Sequence, residues 1–290
     1  MIEVTSDLLC TKLKKRAPDT HKGDFGRLTI VAGSRGMVGA PMMATLAAMR
    51  TGSGLTTLAA PASVVSCVAV GLMEAMTLPL CETEQGGLDA SCMETLLPHL
   101  QKQTACVVGC GLGVTNDTKQ IIKNIIENTK CKLLLDADAL NAIAGTPELL
   151  QSCAQTPVVT PHPGEMARLC GIEISAVLSN PAKLARTFAQ TYGCVTVLKG
   201  HRTVIAAPDG TLFHNTTGNA GLAKGGSGDI LSGMIGAFLA QGLSAVDAAV
   251  CAVWIHGAAA DRLSEHMALT GMLARDVIDE LPAVMKALDL

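Results

Sequence analysis

Leu28-Thr29-Ile30-Val31-Ala32, running into Gly33-Ser34-Arg35-Gly36, decides the architecture of this chain. A mostly apolar run of strand length meets a glycine-rich turn, and a helical pattern from Ala40 to Arg50 follows. The same unit recurs downstream. Leu55–Ala59, Cys106–Gly109, Leu133–Asp136, Val158–Thr160 and Val195–Leu198 are further strand candidates. Helical patterns such as Asp117–Asn128 and Pro181–Tyr192 lie between them, and Pro181 suits a first helical turn. Strands alternating with helices predict parallel βαβ units with helices on both faces of one sheet. One hairpin breaks the order: Thr203–Ala207 and Thr211–His214 flank the turn signal Pro208-Asp209-Gly210. From Asp229 onward the pattern is helical, over Asp229–Gln241, Ala245–Leu263 and Leu273–Leu288. The expectation is a single α/β domain over residues 1–290, with residues 1–20 as an N-terminal arm.

Composition narrows the function. Apolar residues make up 49% of the 290, but aromatics only 2%, so the core is built from small and aliphatic side chains. A net charge of −3 gives no electrostatic footprint for nucleic acid, and the few aromatics offer little for bases to stack on. Eleven cysteines are scattered without a CxxC pair or a zinc-type set. Flanked as in Val65-Ser66-Cys67-Val68 and Val250-Cys251-Ala252, they read as small buried hydrophobes of a reducing compartment. Charged residues interrupt the N-terminus from Glu3 to Arg16, and no apolar run reaches membrane length. The expectation is a cytoplasmic protein with no membrane or nucleic-acid partner.

In open parallel sheets, ligands bind beyond the carboxyl ends of the strands. Polar or glycine-rich motifs crowd that place here: Gly33–Gly36, Gly109–Gly113, Asp136–Asn141, Thr160–Glu165 and Lys199-Gly200-His201. Ala223-Lys224-Gly225-Gly226-Ser227-Gly228-Asp229 joins them, with a helical pattern directly behind it. Glycines there let backbone approach a ligand, and the free N–H groups of a helix start suit a phosphate. A carboxylate at that spot would repel a resting phosphate. Asp229 therefore reads either as a helix cap or as a general base beside an anion hole. The company of the other motifs on one sheet edge favours the chemistry.

The remaining candidates each carry two readings. Lys199 meets nucleotide phosphates as a point charge, or it is a strand-terminal lysine reaching solvent. His162 sits between two prolines, on a rigid mount that suits a ligand contact or a structural role. Glu165 caps the following helix or takes part in catalysis. Of Asp136 and Asp138, one is expected to cap the next helix, with Asn141 completing the turn, and one to face the site, where it meets a Mg²⁺–phosphate directly or through water. Gly109, Gly111 and Gly113 make a poor dinucleotide fingerprint but a loop that a ligand can approach closely. Asn215 and Asn219 flank Gly218 as ligand contacts or turn formers.

Taken in order, these motifs resemble those of the ADP- or ATP-dependent NAD(P)H-hydrate dehydratases, a branch of the ribokinase-like superfamily. The resemblance covers about His21 to Val284. It rests on Lys22-Gly23-Asp24-Phe25-Gly26, Gly39-Ala40-Pro41, Gly109–Gly113, Leu135–Asn141, Thr160–Glu165, Leu198-Lys199-Gly200 and Gly225–Asp229. Cys110 stands where the family usually has proline, and Val38 falls at a variable position. The resemblance implies a three-layer αβα sandwich with a mostly parallel sheet. It also implies a carbon–oxygen lyase that restores NADH or NADPH from the S-form of its hydrate, with ADP or ATP as co-substrate and Mg²⁺ as cofactor. Carried over by position, Ala40, Gly111, His162 and Asp229 are expected to contact the hydrate, and Asp229 to be the catalytic base. Lys199, Gly200, His201, Arg202 and Thr203, with Gly225, Gly226, Ser227 and Gly228, are expected to contact the nucleotide. Asp136, Asn141, Glu165 and Asn219 are further candidates. No direct metal ligand is assigned; Mg²⁺ arrives on the nucleotide phosphates, with Asp136 or Glu165 nearest to it. The resemblance further implies a separate NAD(P)H-hydrate epimerase as functional partner and a homo-oligomer, a tetramer by analogy, with the apolar C-terminal helices as a candidate interface. A small-molecule kinase of the same superfamily and a non-catalytic nucleotide-binding protein are the competing readings.

Overall fold

A computed structural model describes residues 1–290. Ten strands form one sheet: β1 (Ile2–Glu3), β2 (Arg27–Val31), β3 (Leu55–Pro61), β4 (Met76–Leu80), β5 (Ala105–Val108), β6 (Lys132–Leu135), β7 (Val158–Val159), β8 (Val195–Leu198), β9 (Val204–Ala206) and β10 (Leu212–His214). Their spatial order is β1-β10-β9-β8-β7-β6-β5-β2-β3-β4. From β4 to β8 every pairing is parallel; β9 and β10 are antiparallel additions, and β1 runs parallel to β10.

The strand interiors are apolar because the sheet is covered on both faces. Along β2, Ile30 points into one core and Val31 into the other. The first core lies under the helices Gly39–Arg50, Ser227–Ala240, Ala245–Leu263 and Ala274–Ala287. The second lies under Met93–Leu100, Asn116–Asn128, Pro163–Cys170 and Pro181–Tyr192. Three layers result, as expected. Pro181 does open its helix, with Asn180 capping the Lys183 N–H at 3.2 Å. The hairpin turn also forms as read: Asp209 accepts the Thr211 N–H at 2.8 Å, and Gly210 takes a φ of 89°.

Three expectations change. Residues 1–20 are not a free arm, since Ile2–Glu3 completes the sheet edge and a helix follows at Ser6–Lys12. The edge strand β4 escaped the pattern because Pro79 sits inside it, which only an edge tolerates. Cys67 is exposed on the outer side of its short helix, as are Cys10 and Cys81, while Cys92, Cys106, Cys110, Cys131, Cys194 and Cys251 are buried. The C-terminal helices pack on the sheet and on each other, and this packing accounts for much of their apolar character. No helix is long and apolar enough to cross a membrane.

The Ser227–Ala240 helix is the keystone of the first core. It is wedged between the sheet and Gly39–Arg50, and the approach is so close that a Cβ on Gly233 would stand 2.0 Å from the Ala44 carbonyl oxygen. Gly233→Ala should therefore push the two helices apart and cost about 1–3 kcal/mol, the usual range for overpacking. Urea denaturation should show a lower midpoint at unchanged slope; an unchanged midpoint would contradict this packing.

Candidate active site

Strands β2, β5, β6, β7 and β8 run in one direction, so the motifs that follow them meet at one sheet edge. A cavity of about 940 Å³ opens there, lined by Asp136, His162, Lys199, Asp229 and the Gly225–Gly228 loop among others.

The loop leads into the Ser227–Ala240 helix. Gly226 holds a φ of 98°, a left-handed conformation that glycine adopts without strain. The first bond of the helical ladder runs from Ile230 N–H to the Gly226 carbonyl, 3.1 Å. The N–H groups of Gly228 and Asp229 stand ahead of it, where a helix start attracts an anion. Gly226, not Asp229, is the capping position, and no side chain caps this helix. That removes the capping reading of Asp229.

Lys199 closes the other side. Its Nζ donates to Asp136 Oδ1 at 2.8 Å, and the Ser232 hydroxyl donates to Asp136 Oδ2 at 2.7 Å. Asp136 is 2% exposed. Burial alone would raise its pKa; the Lys199 charge and the hydrogen bonds from Lys199 and Ser232 outweigh it, and the carboxyl stays below its usual range. Lys199 is pulled down by its own burial, but Asp136 and Glu165 hold it above the ordinary lysine value. The ammonium thus stays charged beside Gly228, where a Cβ would lie 3.4 Å from Nζ.

Asp229 has the opposite environment. It sits in the first turn of its helix, partly buried, with the Cys110 thiol near its carboxyl. Burial raises its pKa to about 6, with Asp136 adding to the rise while the Cys110 hydrogen bond and Lys199 oppose it. Two carboxylates thus share one site with their pKa values pushed apart, an arrangement that separates a fixed counter-ion from a titrating base.

His162 and Glu165 form a capping box on Pro163–Cys170. Glu165 Oε2 accepts the His162 N–H at 2.8 Å, while His162 Nδ1 accepts from the Gly164 and Glu165 N–H groups at 3.0 and 3.3 Å. An accepting Nδ1 places the proton of the neutral ring on Nε2. Burial, then the charges of Lys199 and Arg168, hold the His162 pKa below the usual histidine value. Glu165 does the capping expected of it and faces Lys199 at 3.8 Å; its burial raises its pKa.

The other candidates divide. Lys199, Gly200, His201 and Thr203 line the cavity, as do Gly225, Gly226, Ser227, Gly228 and Asn219; Arg202, Glu165 and Asn141 do not. Ala40 and Gly111 stand together, with a Gly111 Cβ position 3.2 Å from the Ala40 Cβ, but neither lines this cavity. Neither aspartate after β6 caps its helix: Ala137 holds the capping position, and Asp138 instead accepts the Gly113 N–H at 2.8 Å. Asn141 bonds Asp138 and accepts from Arg168 Nε at 2.8 Å, so it braces the loop. Asn219 caps Ala220–Leu222 through its Oδ1. Asn215 turns its amide onto Thr217.

Sequence reasoning missed Ser232 and the role of Cys110. Ser232 follows Asp229 by three residues and so faces the same side of the helix, a spacing that marks it in retrospect. Cys110 gives no such signal, because its partner is distant in the chain.

The family model for NAD(P)H-hydrate dehydratase matches residues 28–283. The ADP-dependent (S)-NAD(P)H-hydrate dehydratase of Neisseria meningitidis is 40% identical over 91% of this chain and 86% of its own length. A bifunctional NAD(P)H-hydrate repair enzyme of Moorella thermoacetica is 38% identical over 96% of this chain, which spans only 53% of that relative's length. The Bacillus subtilis ADP/ATP-dependent NAD(P)H-hydrate dehydratase, co-crystallised with ATP and Mg²⁺, superposes with a TM-score of 0.86 at 31% identity, covering 99% of this chain and 98% of the other. The fold is the ribokinase-like one. The chain belongs to the NAD(P)H-hydrate dehydratase family.

Proposed function

We propose that this protein dehydrates the S-form of hydrated NADH or NADPH at the expense of ADP or ATP. The observation that carries the reading is the pairing of Asp229, a carboxylate that titrates at about 6, with the Gly228 N–H and the Lys199 ammonium across one cavity. A resting phosphate needs no such base; a hydroxyl that must attack phosphorus does.

The chemistry runs in two stages. Asp229 takes the proton of the ring hydroxyl. The oxygen attacks the terminal phosphoryl group, forming a new P–O bond while the bridging P–O bond breaks and the shortened nucleotide leaves. The Gly228 and Asp229 N–H groups and Lys199 stabilise the transferring phosphoryl oxygens. The ring carbon then bears phosphate, a far better leaving group than hydroxide. The lone pair of the ring nitrogen expels it, and loss of a proton from the adjacent ring carbon restores the dihydronicotinamide. The hydrate ring reaches Asp229 from the side of His162, Ala40 and Gly111. Only the S-form enters this scheme, so an epimerising activity must supply it from the other hydrate.

Metal chemistry fits the nucleotide better than the protein. No cluster of three His, Cys, Asp or Glu side chains forms a site of its own. Asp136 and Asp229 are the acidic side chains on the cavity wall, and carboxylate oxygens are the donors Mg²⁺ prefers. When bound with the phosphates, Mg²⁺ neutralises their charge. Asp136 already serves Lys199 and Ser232, which leaves the phosphates as the main ligands.

The direct assay mixes protein, S-NADH hydrate, Mg²⁺ and either nucleotide. Absorbance of the reduced nicotinamide should recover and free phosphate appear. A stable phosphorylated product would mark a kinase, and binding without turnover a silent protein; either would contradict the proposal. Because Asp229 works ionised, kcat/KM should fall as pH drops through about 6. Asp229→Asn should lose about 10²–10⁴ in rate together with that acid limb; near wild-type turnover would refute its role. Lys199→Met leaves Asp136 buried without its counter-charge, and urea denaturation should show about 3–5 kcal/mol less stability. A variant as stable as wild type would show that the pair carries no such weight.

A further inference from the structure

The cavity has a stretch of wall that the chemistry above does not use. It is formed by Asn215, Thr217 and Asn219 from the segment after β10, with Val253, His256 and Gly257 from the Ala245–Leu263 helix. The polar groups of the segment are spent on the protein. Asn215 donates to the Thr217 carbonyl and hydroxyl at 3.0 and 2.9 Å. Thr217 Oγ1 donates to the Trp254 carbonyl at 2.9 Å, and Asn219 Nδ2 donates to the Ala260 carbonyl at 2.8 Å. Segment and helix are pressed together: a Cβ on Gly257 would lie 2.3 Å from Thr217 Oγ1.

His256 is the exception. It is 7% exposed, lines the cavity, and its Nε2 is buried with no hydrogen-bond partner. Leaving such an atom unpaired costs free energy, and of the unpaired buried side-chain atoms His256 Nε2 alone belongs to a residue that lines the cavity. Burial, then the nearby Lys199 charge, lower its pKa to about 4. The ring is therefore neutral at working pH, with one N–H donor and one lone pair. A neutral ring does little for phosphate charge, which Lys199 and the helix start already meet. It suits a neutral, hydrogen-bonding group beside the apolar flank of Leu222 and Val253.

We propose that His256 hydrogen-bonds the nucleoside end of the bound nucleotide, its ribose or its base, and sets nucleotide affinity without entering the chemical step. This rests on reading the cavity as a nucleotide site. The test measures binding of ADP, ATP and pyrophosphate to wild type, His256→Phe and His256→Gln, with kcat and KM for the nucleotide. His256→Phe should weaken ADP and ATP about tenfold or more. Pyrophosphate affinity should not move, KM should rise, and kcat should stay nearly constant. His256→Gln, which keeps an amide near Nε2, should recover part of the loss. Equal nucleotide affinity in wild type and His256→Phe would overturn the proposal, and so would parallel losses for nucleotide and pyrophosphate. Failure of wild type to bind either nucleotide would instead contradict the nucleotide-site reading. Should the variants not fold, ¹⁵N-histidine NMR of wild type decides: the His256 ring resonances should shift clearly further with ADP than with pyrophosphate, and equal shifts with the two would overturn the proposal.

Discussion

The buried contact of Asp136 with Lys199 and Ser232 is the constraint on which the site depends. It joins three elements: Asp136 follows β6, Lys199 follows β8, and Ser232 lies one turn into the helix whose start lines the cavity. Both oxygens of a carboxylate with 2% exposure are satisfied. A buried charge is tolerable only when paired and hydrogen-bonded, and here the pairing fixes the lysine relative to the helix start. Phosphoryl transfer is mostly positioning and charge stabilisation, so holding these groups in register is a large part of what the fold contributes.

The same arrangement separates two aspartates by function. Asp136 is held ionised and permanently occupied. Asp229 is partly buried, and that burial pushes its pKa up to about 6. Nearness to Asp136 adds to that rise, so the counter-ion of Lys199 also acts on the pKa of Asp229. Cys110 gains a physical role here. Its thiol lies near the Asp229 carboxyl, and its backbone carbonyl accepts the Gly33 N–H at 2.8 Å.

Much of this was legible in the sequence. The repeated strand–turn–helix unit predicts the parallel sheet, and the glycine-rich and charged strand ends predict the edge where the cavity lies. Hydrophobic runs reveal strands buried on both faces; they do not reveal Ile2–Glu3 or Met76–Leu80, which are short or at an edge and owe their state to a partner strand. Side-chain assignments were less legible. Asp136 read as a metal or capping group because its partners Lys199 and Ser232 are 63 and 96 residues away. Asn141, Asn215 and Asn219 proved to brace loops, a role that polar residues near glycine share with ligand contacts until the geometry separates them. His256 was invisible, since a histidine in an apolar helix carries no mark of an unmet hydrogen bond.

The central claim is that the ring hydroxyl becomes a phosphate ester before it leaves. Its most direct test follows the hydroxyl oxygen. S-NADH hydrate labelled with ¹⁸O at the ring hydroxyl, turned over with unlabelled nucleotide, should deliver the label to the released inorganic phosphate. Label found in water, with the phosphate unlabelled, would mean that the hydroxyl departs without being phosphorylated, and would contradict the account.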